Sequence, residues 1–176
     1  MSKLGQIIGQ ALLFALGAII FAMTLIYGYS AISKLTQVKS EVCLIDMQKT
    51  LKNQVERVRA SFGTVRRMDL TICAGHTEIC FIDRDRVLEG QSGPCQGERI
   101  NKLAQRSSLM KDAVCSGSDQ NVFLKPASAT PITIGTITVD HPDGFLCFED
   151  IEASTISLRL EGKGDHTQIG TWKIIE

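Results

Sequence analysis

Residues 4–33, LGQIIGQALLFALGAIIFAMTLIYGYSAIS, carry no charged side chain, and Lys3 and Lys34 bracket them. A hydrocarbon core about 30 Å thick takes roughly 20 apolar residues in helix, so 6–33 reads as a transmembrane helix. A cleaved secretory signal has a shorter apolar core, about 7–15 residues, with small residues at a cleavage site beyond it. Here the run flows into further helical pattern. The expectation is a single-pass anchor in the plasma membrane, with the rest of the chain forming one exposed module.

Outward from that stretch, apolar residues recur at Leu35, Val38, Val42 and Ile45, and then at Leu44, Met47, Leu51, Val55, Val58 and Phe62. Steps of three and four mark an amphipathic helix over 34–63. Lys39, Glu41, Lys49, Lys52, Glu56 and Arg59 fall largely between those positions, and Gly63 supplies a C-cap. One helix from about 6 to 62 would be about 85 Å long at 1.5 Å per residue.

The period then changes. Residues 68–73 and 78–83 alternate around Ala74-Gly75-His76-Thr77, which predicts a hairpin. Gly90, Gly93, Pro94 and Gly97 mark a loop, and 98–114 has helical spacing. Short strands follow at 121–124, 132–139, 145–148, 155–160 and 168–175. The fold class is α+β: a long N-terminal helix, half transmembrane and half amphipathic, packed on an antiparallel β-sheet head over 64–176.

Lysine and arginine number 19, as do aspartate and glutamate. A nucleic-acid partner is not expected, since binding one usually leaves a basic surplus. Of six cysteines, five (Cys73, Cys80, Cys95, Cys115, Cys147) lie in the head and are disulfide candidates. An even count without Cys-x-x-Cys favours disulfides in an oxidising compartment over redox chemistry. Cys80-Phe81-Ile82-Asp83 and Cys147-Phe148-Glu149-Asp150 repeat the pattern Cys-Phe-x-Asp at two predicted strand ends, which would bring Cys80 near Cys147. Orientation is pulled both ways. Lys34, Lys39 and Lys49 outweigh Lys3 and favour a cytoplasmic C-terminal domain, whereas the cysteines favour an extracytoplasmic one.

No catalytic constellation emerges, and neither cofactor nor metal is expected. Cys73, His76 and Cys80 have ligand-like spacing, but structural zinc wants four ligands, and two strand cysteines flanking a turn explain them. His141 and His166 sit beside Asp140 and Asp165 at turns, the default place for exposed polar residues. The lysine of Gly162-Lys163-Gly164-Asp165 lacks Walker spacing, and that segment reads as a hairpin loop. On the anchor, Gly5 and Gly9 form Gly-x3-Gly, and Ala11, Ala15, Ala18 and Ala22 repeat at three and four. Small residues let apolar helices approach closely, so Gly9 and these alanines are a helix-packing face.

Leader, helix and β-rich head together resemble archaeal type IV pilin-like proteins, with a leader of the class III signal-peptide type. The chain is also similar to small membrane-anchored proteins of reduced-genome archaea, through the Gly-Gln leader, 121–124 (NVFL) and 158–165 (LRLEGKGD). The resemblance implies a leader over 1–5, cut by a prepilin peptidase between Gly5 and Gln6. Leu4 stands where a charged residue usually precedes the glycine, and Gln10 where bacterial pilins have glutamate. It further implies an extracytoplasmic head, self-association through the N-terminal helix, and pilus assembly machinery as partner. On this reading the protein is a structural or adhesive subunit of a cell-surface filament and not an enzyme. The other reading is an uncleaved, signal-anchored surface domain that binds a ligand or partner without polymerising.

Overall fold

The computed structural model describes residues 3–90, 95–127, 131–151 and 155–172, with the side chains of 3–14, 31 and 33–40 outside that description. Helix α1 covers Lys3–Arg59, and two compact units divide within it, Met1–Val42 and Cys43–Glu176.

Among the described residues, no helix is long and apolar enough to cross a membrane. This overturns the transmembrane half expected over 6–33, and with it the plasma-membrane, single-pass placement with an extracytoplasmic C-terminal domain. Within the uncharged stretch the side chains are described over 15–30, and that described portion alone is shorter than the roughly 20 residues a bilayer needs.

The second unit builds its core on the later turns of α1. Met47, Leu51, Val55 and Val58 recur at four and three, and all are buried. They meet a four-stranded sheet of order β1-β6-β7-β4, formed by Val65–Thr71, Thr155–Gly162, Thr167–Thr171 and Ile137–Val139. Three features lock helix to sheet. Thr167 Oγ1 donates to Val55 O at 2.8 Å inside the core. A Cβ at Gly162 would overlap the backbone oxygens of Val58 and Ser61, so only glycine fits that end of β6. Cys43 on α1 is bonded to Cys73, just after β1, with Cα atoms 5.9 Å apart.

A second sheet, of order β3-β2-β5, contains Val122–Lys125, Glu78–Ile82 and Phe145–Phe148. Both of its faces are covered. Ile79, Phe81, Val122 and Leu124 join the core of α1 and the first sheet. Cys80, Ile82, Phe123 and Phe145 turn the other way, onto three short helices. These are α2 (Arg84–Leu88), α3 (Glu98–Arg106) and α4 (Ser108–Ser116). Burial on both sides explains why β2 is a continuous apolar run after Glu78, with no alternation.

The expected single antiparallel sheet is therefore two sheets, and β4 runs parallel to β7. The hairpin of 68–73 with 78–83 does not form. β1 pairs antiparallel with β6, and β2 with β3 and β5, so 74–77 carries the chain from one sheet to the other. Seven paired positions with β6, tied by Cys43–Cys73, outcompete a local turn. The helix expected over 98–114 breaks at Ser107, whose backbone is extended at φ −158°. In the strand expected over 132–139 only Ile137–Val139 is regular. Ahead of it, Asn121 takes up the backbone, accepting from Ile134 N at 3.0 Å and donating to Gly135 O at 2.7 Å.

Candidate functional site

Two surfaces stand out, one in each unit. In the first, ten large apolar side chains between Leu16 and Ile32 are 48–80 % exposed. They point in all directions around the helix, so no face of this segment is polar. Ala15, Ala18 and Ala22 are exposed among them. Thr24 Oγ1 donates to Phe21 O at 2.8 Å, which satisfies its hydroxyl within the helix. Gly5, Gln6, Gly9 and Ala11 have their backbone in α1, and their side chains lie outside the described residues.

The second surface is a cleft of about 680 Å³ where α3 faces the ends of β2, β3 and β5. Glu78 opens β2 directly opposite Lys125, the last residue of β3. Their charged atoms are 3.8 Å apart, and Arg106, closing α3, reaches Glu78 at 2.9 Å and also pairs with Glu149. One turn earlier on α3, Lys102 pairs with Asp143 at 2.9 Å and Glu98 at 3.1 Å. Burial opposes the charge of Arg106, but the hydrogen bonds with Glu149 and Glu78 outweigh it and hold the guanidinium above its ordinary pKa. Hydrogen bonds with Asp143 and Glu98 likewise raise Lys102. The cleft therefore pairs two firmly held cations with the carboxylates of Glu78, Glu149 and Asp143. It can recognise a charged or zwitterionic group.

The three histidines all sit at turns or loops. His141 Nδ1 accepts the Asp143 N–H at 3.3 Å, so its ring is turned to the loop after Asp140. His166 Nδ1 lies 2.6 Å from Asp165 Oδ1, at the turn between β6 and β7. His76 Nδ1 donates to Pro126 O at 3.0 Å.

All six cysteines are bonded: Cys43–Cys73, Cys80–Cys147 and Cys95–Cys115. Cys80 and Cys147 stand directly opposite in the β2–β5 register, where the repeated Cys-Phe-x-Asp places them. The five cysteines singled out in the head cannot all pair among themselves, and Cys43 on α1 is the missing partner. Its even count with the other five was the available signal. Cys73, His76 and Cys80 are not brought together as ligands, since each sulfur has another partner. Glu78, Cys80 and Cys147 do place ligand atoms within 4.8 Å of one another. A disulfide sulfur is neither a thiolate donor nor a proton donor, so this cluster fits no metal. The 3.3 Å approach of Glu78 Oε1 to Cys80 Sγ is for the same reason a packing contact.

Compared with protein-family models, with curated proteins and with solved structures, the chain matches none.

Proposed function

We propose that the protein is a structural or adhesive subunit of a multi-copy assembly such as a filament, in which 15–30 of α1 packs against other copies and the disulfide-stapled unit is displayed. One observation carries this reading: the exposed, uncharged stretch of ten large apolar side chains. A helix apolar on every face is normally covered. Covering a large apolar side chain is worth about 1.5–3 kcal/mol, so five of the ten supply roughly 8–15 kcal/mol. Association costs about 4–15 kcal/mol in lost freedom. Half coverage offsets a cost of that size, and covering all ten, worth roughly 15–30 kcal/mol, makes packing through this segment favourable. The small residues Ala15, Ala18 and Ala22 let helices approach closely there. Processing between Gly5 and Gln6 by a prepilin peptidase belongs to the same proposal.

Negative-stain electron microscopy of the purified native protein, with mass spectrometry of its N-terminus, tests this. Ordered polymers of a chain beginning at Gln6 are expected. A single-chain particle that retains Met1 would overturn the reading. That result would favour a second one, a non-polymerising unit that holds a charged ligand in the cleft between Glu78, Arg106 and Lys125. The mixed-sign lining of that cleft supports it.

A further inference from the structure

β1 lies at the edge of its sheet, with β6 on one side only. Just before the strand, Gly162 N donates to Thr64 O at 2.9 Å. Backbone groups in an antiparallel ladder alternate sides with a period of two. Arg66, Met68 and Leu70 therefore turn their N–H and C=O toward β6, while Val65, Arg67, Asp69 and Thr71 turn theirs to the open edge. Among the described residues, nothing pairs with the backbone of these four on that side. Their side chains are exposed as well.

A free strand edge is a template for another strand, and charged side chains are the usual means of blunting it. In β1 the order of the charges does the reverse for one partner. Laid antiparallel against a second copy of itself, with Met68 opposite Met68, the strand places Arg67 opposite Asp69 of the copy and Asp69 opposite its Arg67. Val65 then faces Thr71. The same register puts all four outward-turned residues in hydrogen-bonded pairs, closing about eight backbone bonds. Sliding one strand by two residues either way sets Arg67 against Arg67, or Asp69 against Asp69, and like charges directly opposite are destabilising. Backbone phase and charge order thus select one register.

The two charges are already posed for it. Arg67 Nε donates to Asp69 Oδ1 at 2.9 Å, and Ser157 on β6 braces both, donating to Asp69 Oδ1 at 2.6 Å and accepting from Arg67 Nη2 at 3.2 Å. We propose that β1 is a self-pairing edge that joins two copies about a two-fold axis, merging two four-stranded sheets into one of eight strands. The contact is separate from the apolar segment of α1 and rests on a different surface. An isologous edge of this kind closes on itself as a pair.

Amide hydrogen exchange on the full chain, across a protein concentration series, tests it residue by residue. The amides of Val65, Arg67, Asp69 and Thr71 should exchange at least about tenfold more slowly at high concentration. Arg67→Asp alone and Asp69→Arg alone should each abolish that protection. Mixing the two variants one to one should restore it, because every cross-strand pair in the mixed dimer is again of unlike charge. Concentration-independent exchange in the unchanged chain would overturn the proposal, as would single variants that keep the protection or a mixture that fails to regain it. Assembly through α1 alone leaves these four amides unprotected, so the two contacts are read separately.

Discussion

α1 carries two apolar stretches that fare in opposite ways. Over 47–58 the apolar residues are few and spaced at four and three, and Leu51, Val55 and Val58 are at most 1 % exposed. Over 15–30 they are dense and lie on every face, and Leu16, Phe21, Ile26 and Tyr29 are about half to four-fifths exposed. Apolar content does not decide burial within a chain; a stripe does. A stripe leaves polar residues such as Lys52 and Glu56 for water and offers one ridge to a sheet. A uniformly apolar helix has no side to leave in water, and in the proposed assembly other copies cover it.

The sharpest break of this comparison is a matched pair of truncations. Leu51→Ala leaves a cavity at a fully buried site and should cost about 2–5 kcal/mol in chemical denaturation. Ile19→Ala should leave the denaturation midpoint of the second unit unchanged. Equal losses at both positions would mean that the two stretches are not different in kind.

Next in size is the tether at the start of the buried stretch. Replacing Cys43 and Cys73 together by serine frees the closed loop between them, and should cost about 2–4 kcal/mol while the other two disulfides remain. An unchanged midpoint would show that packing of Leu51, Val55 and Val58 alone holds α1 on the sheet.

How legible this was depends on whether the determining contact is local. The stripe through Met47, Leu51, Val55 and Val58 is visible in the sequence because period is a local property. Val42, Ile45 and Phe62 share its spacing and are nevertheless exposed. Val42 and Ile45 fall off the buried ridge, and Phe62 lies beyond the end of the helix at Arg59. The choice of β6 as partner for β1, and the separation into two sheets, rest on pairings some ninety residues apart (Arg67 with Arg159), and a turn such as 74–77 cannot announce them. The cleft was invisible for the same reason. Glu78, Arg106, Lys125 and Glu149 are ordinary charges until two sheets and α3 bring them together. The exposed segment differs again: its lack of charge is a local property that the sequence displays, whereas what covers an apolar helix is not.

A smaller effect separates the two surfaces by pH. A hydrogen bond from Ser157, then one from Arg67, lowers the pKa of Asp69; a hydrogen bond from Lys163 leads the lowering at Glu161. Groups depressed in the folded state contribute stability above their unfolded values, and lose it as pH falls through their folded values. The second unit should therefore weaken modestly on acidification below the ordinary carboxylate range, seen as a falling denaturation midpoint. Association through 15–30, which has no ionisable carboxylate or amine, should not change over the same interval.

The most direct test of the central claim is sedimentation velocity on the full chain beside Ile19→Asp/Ile26→Asp. Two charges set in the exposed apolar stretch should reduce a large, concentration-dependent species to the single chain, with the denaturation midpoint of the second unit unchanged. A wild-type chain that sediments as a single copy at all concentrations would contradict the account, and so would a double variant that assembles as before.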